Sequence, residues 1–472
     1  MTRRVGGRGM IFEQHYLDCL SQASYVIGDE TTGRAAVVDP RRDIGVYLES
    51  AAEHGLTIEW VLETHFHADF LSGHLELAEA TGATIGYGPG AETEFASRAL
   101  HDGERISLGE VSLEIRHTPG HTPESMSIVV WENADAEAPY GVLTGDTLFI
   151  GDVGRPDLLS SVGVTAVELA GRLYDSLHTK LLTLPDETKV YPAHGAGSAC
   201  GKNLSTDTFS TIGDQRTSNY ALAPMAREDF IAVVTEGQPS APAYFAYDAT
   251  RNREDREILD ETAPPAGLEY SELLHHQLRG AVLLDTREPN EFATGHLAGA
   301  VNVGLTGRYA EYAGGVIQPG GAIILFAEPG TELEAKIRLA RIGVDNVNGY
   351  LPDPVGVMTA HPDDVVRSSR VSAPELRAAL DRLDDLVVVD VRQPGETADG
   401  RIEGALMIPL PELNKRIAEL DAAKPTVVYC AGGYRSSIAA SRLAAAGFAD
   451  VSDLLGGFAA WESTRPETAG AS

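Results

Sequence analysis

Two histidines and an aspartate stand at every second position of the stretch THFHADF, residues 64–70. The side chains of His65, His67 and Asp69 are of the types that bind first-row transition metals. Phe70 follows the aspartate, and its benzyl side chain cannot bind a metal ion. The stretch therefore predicts a metal-binding loop and leaves open whether the site holds one ion or two.

Three more candidate ligands lie further along the chain. His121 lies in HTPGHTPES, Asp146 in LTGDTLF and His194 in YPAHGAG, and each follows a short run of β-forming residues. Open α/β sheets place functional side chains at their strand ends, so these residues can meet in one cleft. Their types and positions predict a metal centre built from four separate loops.

The composition excludes several classes of function. The 472 residues include 69 acidic and 37 basic ones, which gives a formal net charge of −32. Such a charge argues against binding of nucleic acid or of an anionic membrane surface. No apolar run approaches the ~18 residues that a membrane-spanning helix needs. Three cysteines, Cys19, Cys200 and Cys430, are too few for a disulfide framework and favour a reducing cytoplasm.

The first half of the chain alternates between β-forming and helical segments. RAAVVDP and TIEWVLETH predict two strands, and between them DIGVYLESAAEHG predicts a helix that ends at Gly55. A polar stretch at residues 252–267, NREDREILDETAPPAG, predicts a linker. The segments before the linker predict one domain at residues 10–250.

The second half of the chain contains an internal repeat. Residues 282–303 align without gaps to residues 387–408, and the identical positions include Asp285/Asp390 and Arg287/Arg392. Repeats of this length are too long for a solenoid unit. They predict two duplicated, small α/β domains at residues 265–360 and 369–466.

The set of ligand loops in the first half resembles the metallo-β-lactamase superfamily, whose fold is an αββα sandwich with its metal site along one edge. The resemblance implies either of two activities. Persulfide dioxygenases hold one Fe(II) per chain, and His65, His121 and Asp146 match its ligands, while His67, Asp69 and His194 orient ligands or water. Glyoxalase-II-like thioester hydrolases hold two metals and use a histidine where this chain has Phe70, so the resemblance favours the dioxygenase.

Three further stretches resemble persulfide dioxygenases that are fused to sulfurtransferase domains: GDVGRPDL, HGAGSACGKN and STIGDQRTSNYAL. The resemblance implies that polar side chains in them could bind the carboxylates of a low-molecular-weight thiol, namely those of Arg155, Lys202, Arg216 and Asn219. Ordinary loop and helix-capping roles are an equal alternative for each of them. Cys200 is either an inert buried thiol or a redox-active one.

A second chemistry is predicted at TVVYCAGGYRSSIAASRLAAAGF, residues 426–448. An apolar strand leads into Cys430, and a helix follows the short turn after it, so the sulfur faces the positive end of a helix dipole. Arg435 adds positive charge. Both features stabilise a thiolate, which makes Cys430 a candidate nucleophile and persulfide carrier.

The pattern Cys-x-x-Gly-x-Arg at residues 430–435 resembles the active loop of rhodanese sulfurtransferases, together with DVRQPGE before it and LLGGFAAW after it. Arg401 stands where that family commonly has histidine, and we expect no effect on the chemistry. The first repeat has Ala327 at the position of the nucleophile. Without a thiol we expect this repeat to be inactive and to act as a spacer or docking scaffold.

Taken together, the two resemblances imply an enzyme that oxidises a thiol persulfide, by default glutathione persulfide, with O2 to sulfite and thiol. Cys430 would transfer sulfur, with sulfite or thiosulfate at its site. The alternative enzyme is a hydroxyacylglutathione hydrolase with two metals. A third reading is a sulfur carrier without catalysis. Related metallo-domains often pair, which makes a homo-oligomer an open expectation.

Overall fold

The fold is taken from a computed structural model, which describes residues 2–4, 9–158, 164–398 and 400–464. The chain divides into two compact units, the first extending to residue 260 with residues 340–343 added, and the second containing the rest. Residues 159–163, 399 and 465–466 belong to the predicted domains but lie outside the described residues. The boundaries of the three domains stay predictions.

Two mixed sheets form the first unit. The seven-stranded sheet has the order β1 to β7, with β1–β4 antiparallel and β4–β7 parallel. The other sheet has six strands in the order β13-β12-β11-β10-β9-β8. The strands are β1 (Thr2–Arg4), β2 (Met10–Leu17), β3 (Gln22–Asp29), β4 (Arg34–Val38), β5 (Thr57–Glu63), β6 (Thr84–Tyr87), β7 (Arg98–Ala99), β8 (Arg105–Ser107), β9 (Ser112–His117), β10 (Met126–Trp131), β11 (Gly141–Gly145), β12 (Lys189–Pro192) and β13 (Ser210–Thr211).

Helices cover the outer faces of both sheets. Apolar side chains of α1 and α2 pack on the first sheet, and those of α3 and α5 pack on the second. The helices are α1 (Gly45–His54), α2 (His74–Thr81), α3 (Ala166–Ser176), α4 (Ile212–Ser218), α5 (Arg227–Thr235) and α6 (Tyr244–Arg251). A π-helical turn, Leu177–Leu181, extends α3.

The main core of this unit lies between the two sheets. Phe12, Tyr25 and Leu62 of the first sheet pack with Ile128 and Leu143 of the second. Alternation along the strands explains this layering, because side chains at odd and even positions of a strand point to opposite faces. The four layers are helix, sheet, sheet and helix, which confirms the predicted αββα sandwich.

The second unit contains two parallel sheets, one for each repeat, with strand orders β16-β14-β17-β18 and β20-β24-β23-β21-β22. A short antiparallel pair, β15 with β19, lies beside the first of them. The strands are β14 (Val282–Asp285), β15 (His296–Leu297), β16 (Val301–Asn302), β17 (Ile323–Phe326), β18 (Val347–Tyr350), β19 (Val365–Val366), β20 (Ser369–Val371), β21 (Val387–Asp390), β22 (Leu406–Met407), β23 (Thr426–Tyr429) and β24 (Val451–Leu454).

Both repeats keep the same ion pair at the end of their first central strand. Arg287 binds the carboxylate of Asp285 through two nitrogens, and Arg392 binds Asp390 in the same way, with shortest distances of 2.6 and 2.7 Å. The duplication predicted from the sequence is confirmed. The helices of this unit are α7 (Tyr270–Leu278), α8 (Pro289–Thr294), α9 (Tyr309–Val316), α10 (Glu332–Ala340), α11 (Pro354–Ala360), α12 (Ala373–Arg382), α13 (Leu413–Arg416), α14 (Tyr434–Ala445) and α15 (Gly457–Ser463).

Two local predictions have different outcomes. Gly55 ends α1 in the left-handed conformation, with φ of 64°, as predicted. The linker prediction is wrong for the start of residues 252–267, because the side chains of Asn252 and Arg256 are buried in the first unit. None of the described helices is long and apolar enough to cross a bilayer.

Candidate functional sites

The six predicted metal-site residues follow the ends of four strands in the first unit. His65, His67 and Asp69 come after β5, His121 follows β9, Asp146 follows β11, and His194 follows β12. All six side chains are buried. The loops that follow these four strand ends meet at one edge of the sandwich, where their side chains converge.

Three of these side chains converge on one point. His65 Nε2 and His121 Nε2 lie 3.9 and 3.6 Å from Asp146 Oδ2, and one ligand atom from each residue lies within 4.8 Å of the others. His65 Nε2 and Asp146 Oδ2 are buried without a hydrogen-bond partner. Buried polar atoms normally have partners, so this convergence fits a bound cation. Two imidazoles and one carboxylate match the donor set of non-haem Fe(II) sites.

Hydrogen bonds hold both histidine rings with Nε2 facing that point. His65 Nδ1 lies 3.0 Å from the Thr64 hydroxyl, which donates in turn to Asp39 Oδ2 at 2.9 Å. His121 Nδ1 donates to the carbonyl oxygen of Arg155 at 2.8 Å. A proton on Nδ1 leaves a lone pair on Nε2, which is the form that binds a metal.

The protonation states of His65 and Asp146 also suit metal binding. Burial, with His67 nearby, lowers the pKa of His65 well below its ordinary value, so the ring stays neutral. Burial raises the pKa of Asp146, but His194 and His65 outweigh it and the net shift is downward. Asp146 is therefore a carboxylate at neutral pH.

His194 bridges the two aspartates of the site. Its Nδ1 lies 2.7 Å from Asp146 Oδ1, and its Nε2 lies 2.8 Å from Asp69 Oδ2. Burial alone would lower the pKa of His194. The carboxylates of Asp146 and Asp69 raise it by more, so the pKa lies well above its ordinary value. The ring thus hydrogen-bonds to Asp146 and orients it, and it forms an ion pair with Asp69.

His67 is turned toward a second pair of buried carboxylates. Its Nε2 lies 3.1 Å from Asp39 Oδ1 and 3.5 Å from Glu63 Oε2. The ring of Phe70 packs on the other side, 4.3 Å from the His67 ring centre. His67, Asp69 and His194 still offer ligand atoms within 4.8 Å of one another. The position next to this group is apolar because of Phe70.

A glycine permits the close packing of the loop GDVGRPDL against the metal site. A Cβ at Gly154 would lie 1.9 Å from the carbonyl oxygen of Asp146 and 3.1 Å from His121 Nδ1. No larger residue fits there without moving two of the three candidate ligands.

The four predicted thiol-binding residues make hydrogen bonds within the protein. Arg155 binds Asp157 and the carbonyl oxygens of Ala199 and Pro239, and Lys202 Nζ donates to the carbonyl oxygens of Val233 and Glu236. These contacts fit the alternative of loop-holding roles. Their binding of a thiol stays a prediction.

The other two of the four lie on or next to α4. Arg216 binds Asp186 at 2.8 Å, and Asn219 is buried, where its amide donates to the carbonyl oxygens of Phe149 and Asp152. Their binding of a thiol also stays a prediction.

Cys200 lies beside the metal site, with its sulfur within 4.8 Å of ligand atoms of Asp146 and His194. Burial, together with Asp69 and Asp146, raises the pKa of the Cys200 thiol well above its ordinary value. The thiol stays protonated at neutral pH, which favours the inert reading.

Two residues of the predicted linker, Asn252 and Arg256, hold the loop that contains His67 and Asp69. This role was not predicted from the sequence. The Asn252 amide donates to the carbonyl oxygens of His67 and Phe70 at 2.8 and 2.9 Å, and its own oxygen accepts from Ser72 N–H at 2.9 Å. Arg256 donates to the carbonyl oxygen of Ser72 and to the carboxylate of Glu76. The charged composition of this stretch predicted a solvent-exposed linker, because the sequence does not distinguish a charged residue in a buried ion pair from one in water.

In the second unit, Cys430 lies between β23 and α14 as predicted. Its side chain is buried, its sulfur accepts a hydrogen bond from Gly433 N–H at 3.1 Å, and the Ser436 hydroxyl lies 3.6 Å away. Gly433 adopts φ of 104°, a conformation that favours glycine. The turn therefore directs backbone donors at the sulfur.

The stretch LLGGFAAW supports the cysteine loop from the other side. Phe458 N–H donates to the carbonyl oxygen of Cys430 at 2.7 Å, and Ala459 N–H donates to that of Ala431 at 3.1 Å. A Cβ at Gly457 would lie 2.4 Å from the Cys430 carbonyl oxygen. This glycine thus lets the start of α15 reach the loop.

Arg435 lies at the first turn of α14, but its guanidinium binds the carboxylate of Glu396, with both distances at 2.6 Å. Burial alone would lower the pKa of Arg435, but the carboxylate of Glu396 raises it by more, so the net shift is upward. A substrate anion would meet this ion pair instead of a free cation. The catalytic role of Arg435 stays a prediction.

The equivalent loop of the first repeat follows β17 and begins at Ala327, which is buried. The fold persists there without the thiol. The inactivity of this repeat stays a prediction.

Comparisons with known proteins agree with this division. The metallo-beta-lactamase superfamily matches residues 17–194, and the rhodanese-like domain matches residues 269–347 and 372–464. The crystal structure of a metallo-beta-lactamase from Staphylococcus aureus is 32% identical, covers 73% of this chain and 100% of its own, and has a TM-score of 0.66. The chain belongs to the metallo-beta-lactamase superfamily. It carries two rhodanese-like domains after the metallo-beta-lactamase domain.

Two curated relatives bear different activities in their names. The mitochondrial persulfide dioxygenase of Homo sapiens is 29% identical over 245 residues, which are 50% of this chain and 84% of that protein. A hydroxyacylglutathione hydrolase of Rhodospirillum rubrum is 32% identical over 230 residues, 48% of this chain and 80% of its own. Because the chain is about equally identical to both relatives, sequence identity does not decide between the two activities. The residues of the site have to decide.

Replacing Asn252 by alanine is expected to loosen the metal loop. Three hydrogen bonds are lost and buried backbone groups are left unpaired, at a cost of about 3 kcal/mol in the free energy of unfolding. Loosened support should also weaken metal binding about 10-fold. Chemical denaturation and chelator competition measure the two effects. Asn133→Ala, at an exposed asparagine, is the control, and unchanged metal affinity in Asn252→Ala would contradict this role of Asn252.

Proposed function

We propose that this protein is a non-haem iron persulfide dioxygenase, coupled to sulfur transfer at Cys430. Its substrate would be a low-molecular-weight thiol persulfide, with glutathione persulfide as the first candidate. The convergence of His65, His121 and Asp146 beside an apolar Phe70 carries the proposal. The relationship to persulfide dioxygenases supports it.

The proposed reaction consumes one persulfide, one O2 and one water, and releases sulfite, the free thiol and two protons. The terminal sulfur is oxidised and the oxygen of O2 is reduced, so no other oxidant is needed. Bound Fe(II) would supply the redox chemistry with O2 that side chains cannot perform.

The protein's own residues would fix the geometry of that chemistry. His65, His121 and Asp146 would hold the ion from three loops, and a three-residue donor set of this kind would leave room for substrate. The histidine rings are held by their hydrogen bonds to the Thr64 hydroxyl and to the Arg155 carbonyl oxygen, and His194 holds Asp146. All these partners are buried, so the three ligands have little freedom to move and to accommodate a second metal ion.

Cys430 would carry sulfane sulfur as a persulfide. Backbone N–H of Gly433 and the N-terminus of α14 stabilise negative charge on its sulfur. Transfer from this persulfide to sulfite would yield thiosulfate, and transfer in the other direction would supply a persulfide for oxidation.

A second candidate function is thioester hydrolysis of an acyl-glutathione. The convergence of His67, Asp69 and His194 favours it, because these residues could hold a second ion. The relationship to a hydroxyacylglutathione hydrolase also favours it. Phe70 argues against it, since no imidazole completes that second group.

The decisive experiment is anaerobic isolation with metal analysis, followed by O2 uptake and sulfite measurement with glutathione persulfide. About one iron per chain with persulfide-dependent O2 uptake is the expected result. Two zinc ions per chain and oxygen-independent hydrolysis of acyl-glutathione would overturn the proposal.

Phe70→His should admit a second metal ion. The new imidazole would stand beside His67, Asp69 and His194, so zinc content after reconstitution should rise from about one toward about two ions per chain. Phe70→Leu, which keeps the position apolar, is the control. An unchanged zinc content in Phe70→His would show that Phe70 does not limit the metal count.

His121→Ala should abolish iron binding and reduce persulfide-dependent O2 uptake by at least about 100-fold, since one of three ligands is lost. Sulfur transfer from thiosulfate to a thiol should persist, because Cys430 lies in the other unit. An oxygen electrode and a sulfurtransferase assay on the same sample measure both. O2 uptake at the parent rate would refute the ligand assignment.

Cys430→Ser should have the opposite effect. A serine hydroxyl cannot form a persulfide, so sulfur transfer should fall below detection. Oxygen uptake with glutathione persulfide should stay within about 2-fold of the parent rate. Loss of both activities would show that the two sites are obligatorily coupled, and Cys19→Ser serves as the matched control.

A further inference from the structure

The loop after β21 and the loop after β23 start side by side in the second repeat. The two strands are parallel neighbours, and Asp390 is paired with Tyr429 at their last residues. Val391 N–H donates to the carbonyl oxygen of Tyr429 at 3.0 Å. Cys430 follows directly on β23, while residues 391–396 follow β21. Because parallel strands end at the same edge of a sheet, both loops lie at that edge.

Glu396 joins the first of these loops to the second. Its carboxylate binds the guanidinium of Arg435 through both oxygens, at 2.6 Å each. Arg435 lies between Gly433 and Ser436 in the chain. Both of these neighbours contact the sulfur of Cys430, through the Gly433 N–H at 3.1 Å and the Ser436 hydroxyl at 3.6 Å. The ion pair therefore belongs to the turn that surrounds the sulfur.

The carboxylate of Glu396 is fixed and charged. Its Oε2 accepts a hydrogen bond from Gln393 N–H at 2.8 Å, and its carbonyl oxygen accepts one from Arg392 at 3.1 Å. Burial alone would raise the pKa of Glu396, but Arg435 lowers it by more, so the net shift is downward. The side chains of Glu396 and Arg435 are 35% and 17% exposed, so water screens the pair only in part.

The pair changes the charge that a sulfur donor meets beside Cys430. A free guanidinium would attract an anion, and the attraction would grow with the charge of that anion. The bound carboxylate of Glu396 cancels most of this attraction. Transfer of an anion out of water costs more free energy for a dianion than for a monoanion. Thiosulfate is a dianion, whereas the sulfur end of an organic persulfide is at most a monoanion, so a neutral pair disfavours thiosulfate more strongly.

We propose that Glu396 sets the donor specificity of Cys430 by neutralising Arg435, so that the site takes sulfur from organic persulfides in preference to thiosulfate. This inference rests on the proposed sulfur transfer at Cys430 and names the class of donor for it. Glu396 acts through Arg435 and is a positioning residue. Weak binding of thiosulfate would also favour its release as a product after transfer to sulfite.

The loading step needs only the donor and Cys430. The thiolate sulfur of Cys430 forms a bond to the outer sulfur of the donor R–S–SH. The bond between the two donor sulfurs breaks, and its electron pair leaves with R–S, which takes up the proton of the former S–H group. The products are R–SH and the anionic persulfide of Cys430, and no oxidant or reductant is consumed. Gly433 N–H donates to the sulfur of Cys430.

The test loads Cys430 of the full-length protein from two donors, thiosulfate and the persulfide of the uncharged thiol 2-mercaptoethanol. After rapid quenching and alkylation, peptide mass spectrometry measures the persulfide on Cys430 across a range of donor concentrations. The parent protein should reach half-maximal loading at a concentration of persulfide at least about 10-fold lower than that of thiosulfate. A parent that prefers thiosulfate would overturn the inference.

Glu396→Gln removes the negative charge, while its amide oxygen can still accept the hydrogen bond from Gln393 N–H. The half-maximal concentration of thiosulfate should fall about 10-fold, because the guanidinium of Arg435 is no longer neutralised. That of the persulfide should stay within about 2-fold. An equal fall for both donors would show a general change in access to Cys430 and overturn the inference, as would no fall for thiosulfate.

Glu291→Gln is the matched control. Glu291 occupies the position of Glu396 in the repeat that has Ala327 instead of a cysteine, and its side chain is exposed. It should change neither concentration, and a fall for thiosulfate as large as that in Glu396→Gln would overturn the specific role of Glu396.

The parent protein separates this inference from the function on which it rests. Loading of Cys430 by both donors, with no response to Glu396→Gln, would overturn only the role of Glu396. Absence of a persulfide on Cys430 with either donor would overturn the sulfur-carrier function itself.

Discussion

The burial of six ionisable side chains at one edge of a sandwich is the constraint on which the first unit depends. Desolvation of charged groups costs several kcal/mol each unless they are paired. The contacts of His194 with Asp69 and Asp146 offset part of this desolvation cost. The hydrogen bond from Thr64 to Asp39 offsets another part. Among the buried atoms without a hydrogen-bond partner, His65 Nε2 and Asp146 Oδ2 face the same point. A cation at that point would give both of them a partner, so the same group would serve stability and chemistry.

The supports of this site extend well beyond the four ligand loops. Asn252 and Arg256 reach back over a long stretch of chain to hold residues 67–72. Arg256 shares the carboxylate of Glu76 with Arg42, and all three side chains are buried. The loop that carries His67 and Asp69 is thus fixed from both sides, as precise metal sites require.

The second unit contains two repeats of one fold that differ at the position of the candidate nucleophile. Both repeats have a buried Asp–Arg pair at the same position, Asp285–Arg287 and Asp390–Arg392. Only the second repeat has the cysteine. The first repeat contacts α14 through Tyr434 and Ser441, which gives the helix after Cys430 a surface to pack against.

The sequence by itself determined the sandwich, the duplicated repeats and the candidate ligands, because strand alternation, ligand types and the Cys430 loop are local patterns. It could not determine that Asn252 and Arg256 clamp the metal loop or that Arg435 binds Glu396. Nor could it show that Tyr434 of the second repeat donates to Gly304 of the first. Those pairings join residues far apart in the chain, and a polar side chain has the same appearance in sequence whether it meets water or a buried partner. Only tertiary packing decides which partner it meets.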